Sequence, residues 1–188
     1  MVDTGILKTG WLEVIAGPMF SGKTEEMIRR MRRAKIAKRK LLVFKPAMDI
    51  RFAGEMVVSH SKNEVPAIPV QNAQDILDKV GPTAEVIGID EVQFFGPEIV
   101  DVCRVLVKRG VRVIVSGLDL DFKAQPFGSM CTLLALGDSV DKLNSVCSVC
   151  GNPATRSQRL TDTEAVVELG ASVQYEARCH AHYIQPEN

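Results

Sequence analysis

A glycine-rich segment near the start of the chain constrains the fold more than any other feature. Residues 17–24 read Gly-Pro-Met-Phe-Ser-Gly-Lys-Thr and fit the pattern G-x-x-x-x-G-K-[ST] in full. The apolar run Trp11–Ala16 precedes this segment, and a stretch with apolar residues at helical spacing follows it. A strand, a glycine loop and a helix in this order predict a phosphate-binding loop, in which backbone N–H groups surround phosphates at a helix N-terminus.

The predicted loop contains most of the candidate nucleotide-binding residues. They are Gly17, Pro18, Met19, Phe20, Ser21, Gly22, Lys23 and Thr24. Lys23 is predicted to bridge the β- and γ-phosphates, and Thr24 is predicted to ligate Mg²⁺. Asp90 ends a later apolar run and is predicted to hold Mg²⁺, directly or through water. These residues indicate an enzyme that uses a nucleoside triphosphate and Mg²⁺, but they do not identify the phosphoryl acceptor.

Short apolar runs alternate with helical stretches over the first three quarters of the chain. The predicted strands are 11–16, 41–44, 86–89 and 111–115, and the predicted helices are 24–39, a short helix capped by Asn72, and a helix with Pro97 in its first turn. This alternation predicts an α/β fold, with a P-loop NTPase-like parallel sheet flanked by helices. A length of 188 residues suits one such domain with a small appendage.

The appendage is predicted to bind zinc. Cys147-x-x-Cys150 is followed after 28 residues by Cys179-x-x-His182, and each spacing lets two ligands converge on one tetrahedral ion. Four protein ligands would make the site closed and structural. His180 is a rival fourth ligand, although the x-x spacing favours His182. The other reading of these cysteines is two redox or buried thiol pairs.

The other two cysteines and the remaining histidine are predicted to have structural and not metal-binding positions. Cys103 and Cys131 lie in apolar contexts and are predicted to be core residues. His60 is predicted to be a loop residue.

The charge distribution argues against a globally basic nucleic-acid or membrane binder, because 23 basic residues balance 23 acidic residues. Eight Lys and Arg residues lie between Arg29 and Lys40. They are predicted to form a solvated face of the first helix and not a nucleic-acid patch, because they surround the helix and no aromatic residues are interleaved to stack bases.

Two further features bear on the compartment. The longest stretch without Asp, Glu, Lys or Arg has 14 residues, fewer than the ~18 of a candidate transmembrane helix. Asp3, Lys8 and Glu13 interrupt the positions where a signal peptide would need an apolar core. The sequence therefore predicts a cytoplasmic protein.

Four motifs in a fixed order now resemble a known family. After the phosphate loop come D-E-V-Q-F-F at residues 90–95, G-L-D at 117–119 with P-F-G at 126–128, and the Cys/His tail. This set resembles the cellular-type (type II) thymidine kinases over about residues 10–183. The sequence pattern changes after about Val140, which predicts a boundary near Asp138–Asp141 between a P-loop kinase domain at 1–139 and a zinc-binding domain at 140–188. The resemblance implies that the second domain carries a substrate-clamping loop.

The resemblance also implies an activity, which is ATP-dependent phosphorylation of the thymidine 5′-hydroxyl to give the monophosphate. Glu91 would be the catalytic base, and Gln93 would belong to the ATP and Mg²⁺ site. The activity would extend to deoxyuridine and supply dTTP for DNA synthesis by nucleoside salvage. A homodimer or homotetramer with no nucleic-acid or membrane partner is expected.

The resemblance further implies a thymine pocket. Its residues would be Phe94, Leu118, Phe122, Phe127, Gly170 and Tyr175. The zinc tail would anchor the loop bearing Tyr175 over the nucleoside and exclude water. The family commonly has I-G-G before this tyrosine, whereas residues 169–171 here read Leu-Gly-Ala, and alanine allows fewer backbone conformations than glycine. Asp49 and Arg51 match an acidic-x-Arg element of the family and would have a supporting role.

Two other functions are compatible with some of these features. A nucleic-acid-dependent ATPase with a zinc ribbon would use the basic helix and the cysteine cluster. A nucleoside monophosphate kinase with a zinc-bearing lid would carry the zinc insertion in mid-chain, whereas the cysteine pairs here lie near the C-terminus.

Overall fold

The structure is a computed structural model that describes residues 9–48, 56–58, 64–161 and 174–186. Its strands are β1 (Trp11–Ala16), β2 (Leu41–Pro46), β3 (Met56–Val58), β4 (Glu64–Pro66), β5 (Ile68–Val70), β6 (Val86–Ile89), β7 (Arg112–Gly117), β8 (Ser139–Lys142), β9 (Ser145–Val146), β10 (Pro153–Ala154), β11 (Arg156–Arg159) and β12 (Tyr175–Arg178). Its helices are α1 (Lys23–Ile36), α2 (Gln74–Lys79), α3 (Ile99–Lys108) and α4 (Met130–Leu136), with a 3₁₀ turn at Val92–Phe94.

A six-stranded sheet forms the centre of the molecule, with the strand order β5-β2-β6-β7-β1-β8. Every neighbouring pair in it is parallel. The carboxyl ends of β1, β6 and β7 therefore meet at one edge of the sheet, which is where open α/β sheets bind ligands. The predicted fold class, a parallel sheet flanked by helices, is confirmed.

Apolar side chains fill both faces of this sheet. Val14 and Ile15 are consecutive in β1 and point to opposite faces, as the period of a strand requires. Ile15 packs with Met27 and Met31 of α1 on one face. Val14 lies in the cluster on the other face, which contains residues of α2, α3 and α4. Burial on both faces explains why the strands read as apolar runs and not as alternating patterns.

The first helix is shorter than predicted. The prediction of 24–39 placed its end beyond Ile36, where α1 ends. Lys38 has a φ of 55°, which is a left-handed conformation that a helix cannot continue through. The N–H of Arg39 then donates to the carbonyl of Ala34 at 3.0 Å and closes the helix end.

The segment after β8 forms short antiparallel pairs, β9 with β10 and β11 with β12. We call residues 145–159 and 174–186 the Cys/His unit. The boundary predicted at residue 140 falls within β8, which pairs with β1 in the large sheet. The division of the chain into two domains stays a prediction.

Two sequence interpretations are wrong in detail. Cys103 is buried as predicted, and burial raises the pKa of its thiol to about 12. Cys131, however, is exposed. It lies on α4, where Met130 and Leu133 face the core, and the apolar sequence around it does not reveal which side of the helix is covered.

The basic run contains the second exception. Its other members are exposed, as expected for a solvated face, but Arg30 is buried. Arg30 pairs with Glu13 of β1 at 2.6 Å, with Glu26 at 2.7 Å and with Asp141 of β8 at 2.7 Å. This arginine therefore joins α1 to the sheet. Across the residues that the structure describes, no helix is both long enough and apolar enough to span a bilayer.

Candidate active site

The predicted phosphate loop connects β1 to α1 at the carboxyl edge of the sheet. Gly22 precedes the helix with a φ of 82°, in the left-handed region that glycine adopts at little cost. Gly17 lies so close to the carbonyl oxygen of Leu143 that a Cβ there would be 2.4 Å from it. Both glycines of the motif are therefore required by the path of the backbone.

Lys23 and Thr24 begin α1 and lie near the end of β6. The Lys23 ammonium is buried and donates to the carbonyl of Pro18 at 2.7 Å. Burial lowers the pKa of Lys23, while the carboxylates of Glu91 and Asp90 act in the opposite direction. Thr24 Oγ1 lies 3.5 Å from Asp90 Oδ2. A hydroxyl and a carboxylate oxygen so close together fit the oxygen ligands that Mg²⁺ prefers.

A serine that sequence reasoning missed holds Asp90. Ser116 is fully buried in β7, and its hydroxyl donates to Asp90 Oδ1. This bond fixes Oδ1 of the Asp90 carboxylate, while Oδ2 faces the Thr24 hydroxyl. A polar residue inside the apolar run of β7 was the available signal, because a buried hydroxyl needs a hydrogen-bond partner.

Glu91 lies directly after Asp90 in an unusual backbone conformation. Its φ of 49° is left-handed, which is uncommon for residues other than glycine and occurs often at functional sites. Gln93 Nε2 donates to Glu91 Oε2 at 2.5 Å, and Gln93 Oε1 accepts the N–H of Leu118 at 3.1 Å. The buried Gln93 amide thus connects the proposed base to the segment after β7. A role of Gln93 in binding ATP stays a prediction.

The aromatic residues of the predicted thymine pocket form two groups. Phe94 and Phe127 meet edge to face, with ring centroids 5.6 Å apart. Phe122 and Tyr175 contact one guanidinium, that of Arg159, which lies 3.6 Å from the centroid of the Phe122 ring. Arg159 also donates to the Tyr175 hydroxyl at 2.7 Å. The stacking and the hydrogen bond hold the two rings at fixed positions.

Arg159 is a second residue that the sequence analysis missed. It is buried on β11, which pairs with the strand of Tyr175. Nothing in the local sequence distinguishes it from the many exposed arginines of the chain. Its two aromatic partners lie 37 and 16 positions away in sequence, which only the fold brings together.

Other predicted site residues lie outside the described residues. Gly170 and the Leu-Gly-Ala departure at 169–171 fall in this category, as do Asp49 and Arg51. Their roles stay predictions.

The four predicted metal ligands converge in the Cys/His unit. The ligand atoms of Cys147, Cys150, Cys179 and His182 all lie within 4.8 Å of one another. Each ligand pair spans a tight turn, closed by the N–H of Gly151 on the carbonyl of Cys147 and the N–H of His182 on the carbonyl of Cys179. The turns explain the x-x spacing, because they bring the first and last residues of each pair together.

The chemistry of this ligand set fits zinc. Burial acts to raise the pKa of the Cys147 thiol, but backbone N–H groups of Cys179, Val149 and Cys150 lower it to about 6. A thiolate is the form that binds a metal. Three cysteines and one histidine complete the tetrahedral coordination of structural zinc sites and leave no position for substrate.

One cleft connects the phosphate loop to the proposed base. It is lined by Met19–Glu25, Glu91 and Leu118. A family model described as thymidine kinase matches residues 10–183, nearly the whole chain.

Proposed function

The chain belongs to the thymidine kinase family, and we propose that it transfers the γ-phosphoryl group of ATP to the 5′-hydroxyl of thymidine. The observation that carries this proposal is the cleft shared by the phosphate loop, Glu91 and Leu118. It would accommodate the donor phosphates, a proton acceptor and one wall of the base pocket in a single space. We further propose that the chain is of the cellular type (type II).

The donor phosphates would lie against the loop between Gly17 and Thr24. Backbone N–H groups at the start of α1 and the Lys23 ammonium would neutralise their charge. Thr24 and Asp90 would hold Mg²⁺, and Ser116 would orient Asp90. When bound, Mg²⁺ supplies charge stabilisation at the β- and γ-oxygens.

Glu91 would accept the proton of the attacking 5′-hydroxyl. A positioned general base contributes on the order of 10²–10⁴ in rate. The Gln93 amide donates to one Glu91 oxygen, which fixes the carboxylate and leaves its second oxygen for the hydroxyl. Positioning is the main task of a protein in phosphoryl transfer, because the reaction requires little covalent chemistry from the side chains.

The thymine ring would lie among Phe94, Leu118, Phe122, Phe127 and Tyr175. Flat apolar walls suit a nucleobase, and a few directed hydrogen bonds give it orientation. Arg159 supports this proposal because it fixes Phe122 from one segment of the chain and Tyr175 from another.

The Cys/His cluster would hold a structural zinc ion, which supplies fixed ligand geometry and takes no part in the transfer. Deoxyuridine phosphorylation, a role in dTTP supply for DNA synthesis by salvage, homo-oligomer formation and a cytoplasmic location complete the proposal. They depend on the family resemblance.

A turnover assay tests the proposed activity. The purified protein is mixed with ATP and Mg²⁺, and ADP is measured in the presence of separate nucleosides, nucleoside monophosphates and oligonucleotides. We expect ADP release that depends on thymidine and yields thymidine monophosphate. Turnover without thymidine, or none with it, would contradict the proposal. Stimulation by oligonucleotides with steep salt dependence would instead support a nucleic-acid-dependent ATPase.

A further inference from the structure

The phosphate loop contains a bulky residue in a conformation that its side chain disfavours. Phe20 has a φ of 63°, in the left-handed region that favours glycine. Such a conformation is retained only where the surrounding structure enforces it.

The Cys/His unit holds Phe20 in two ways. The phenyl ring packs against the small core that contains Cys147, Ala154, Ala177 and Cys179. The hydroxyl of Ser145 in β9 donates to the carbonyl of Phe20 at 3.1 Å. Both the ring and the backbone of this residue are therefore in contact with the unit that carries the metal ligands.

A neighbouring residue of the loop has a contact of the same kind. The N–H of Met19 donates to the hydroxyl of Ser157 at 3.0 Å. Ser157 is buried in β11 and pairs across to Ala177 in β12. The backbones of two consecutive loop residues are thus hydrogen-bonded to distant serines, Met19 to Ser157 at 138 positions and Phe20 to Ser145 at 125 positions away in sequence.

We propose that Ser145 and Ser157 are positioning residues through which the Cys/His unit sets the conformation of the phosphate loop. Nucleotide affinity then depends on the integrity of the Cys/His unit. The family resemblance gives this unit only one role, which is to close over the nucleoside. The inference rests on the proposed function, since it requires that the loop binds ATP. The candidate metal ligands would then support the nucleotide-binding site through the two serines, without being part of that site.

The test measures the dissociation constants of MgATP and MgADP by calorimetry without thymidine. Ser145→Ala and Ser157→Ala each remove one hydrogen bond to the loop. We expect each variant to weaken nucleotide binding about threefold to tenfold, the factor for one lost hydrogen bond, and the double variant to weaken it more. Ser157→Thr keeps the hydroxyl and should restore the affinity.

Ser148→Ala is the matched control. The Ser148 hydroxyl belongs to the same unit, but it bonds to Glu176 and to the carbonyl of Ala177, not to the loop. Metal content and melting temperature are measured for every variant. Unchanged nucleotide affinity in the double variant would overturn the inference. An equal loss in Ser148→Ala would also overturn it, because the effect would then come from general loosening of the unit.

Chelation of the metal gives a second measurement. Removing the metal should weaken MgATP binding in the unsubstituted protein. The effect should be smaller in the double variant, which already lacks the two serine hydrogen bonds to the loop. Equal effects in both proteins would contradict the proposal that these two serines link the metal site to the loop. If the unsubstituted protein does not bind MgATP at all, the proposed function fails. If it binds MgATP and the serine substitutions leave the affinity unchanged, only the positioning role is refuted.

Discussion

The sheet with its helices and the Cys/His unit have different sources of stability. The sheet buries an apolar cluster on each face, contributed by strands and helices from most of the described chain. The core of the Cys/His unit consists of four buried residues, of which Cys147 and Cys179 are candidate metal ligands. Among the described residues, this small core contributes little burial free energy against the conformational entropy of ordering the segment. We therefore predict that the first region is stabilised mainly by apolar burial and that the second depends on metal binding.

The two regions also contribute differently to the site. The sheet region supplies the candidate phosphate, Mg²⁺ and base residues near the ends of β1 and β6. The Cys/His unit supplies Arg159 and Tyr175 and contacts the phosphate loop. The Cys/His unit therefore contacts residues of both substrate sites of the proposed reaction.

Cys147→Ser should separate the two regions most clearly. Metal binding contributes on the order of 10 kcal/mol to the folding of small zinc units, and loss of one thiolate removes much of this. We expect fast amide hydrogen exchange in 145–159 and 174–186, while β1, β6 and β7 stay protected. Cys131→Ser is the control, because this thiol is exposed and does not belong to the cluster of four candidate ligands. Retained protection in the Cys/His unit of Cys147→Ser would refute the dependence on metal.

Glu91→Gln tests the chemistry of the sheet region without disturbing its folding. We expect kcat to fall by about 10²–10⁴, the contribution of a general base, while MgATP affinity changes little. Steady-state kinetics and calorimetry measure the two quantities. Glu98→Gln is the matched control, since this glutamate is exposed at the start of α3. A near-normal kcat in Glu91→Gln would refute the role as base.

Arg30→Ala tests the ionic connection between α1 and the sheet. Removal of the arginine leaves Glu13 buried with one partner fewer, and breaking a buried ion pair costs about 3 kcal/mol or more. Urea unfolding should show this loss of the free energy of unfolding. Arg29→Ala is the control, because Arg29 is exposed and pairs with the same Glu26. Equal stability of the two variants would show that burial of Arg30 does not matter.

The smallest effect concerns pH. The hydrogen bond from Arg29 lowers the pKa of Glu26 most, burial opposes it, and the hydrogen bond from Arg30 adds to it, giving about 2 against an ordinary 4.5. A folded-state pKa below the unfolded value stabilises the protein above pH 4.5, and this contribution disappears as the pH falls toward 2.

Solvent screening reduces the contribution of Glu26 to about 1 kcal/mol or less. Melting curves of the unsubstituted protein and of Glu26→Gln should therefore differ by a few degrees at neutral pH and converge toward pH 2. A difference that grows on acidification would contradict the assignment.

Local sequence patterns were sufficient to predict β1, β2, β6 and β7, the positions of α1, α2 and α3, and the motifs. The strand at Trp11–Ala16 and the glycine loop after it follow from residues within one short segment, because hydrophobic period and glycine conformation are local properties. The metal ligands were also predictable, since each x-x pair spans a single turn. The clustering of the four side chains required only that the two pairs meet.

Faces and partners were not predictable in the same way. Cys131 is exposed although its neighbours are apolar, because an apolar short helix does not show which side another element covers. Arg30 is buried because it pairs with Glu13, the charged residue within the apolar run of β1. The interruption was visible in sequence, but its partner was not.

Local spacing and residue type were enough to predict the parallel α/β fold, the strand, glycine loop and helix at the start of the chain, and the clustering of the two Cys/His pairs. Only the folded chain brings Ser116 to Asp90, Arg159 to both Phe122 and Tyr175, and two serines of the Cys/His unit to the glycine loop. Each of these contacts joins residues distant in sequence, and the physical reason is that hydrogen bonds and packing depend on distance in space, which the folded chain sets.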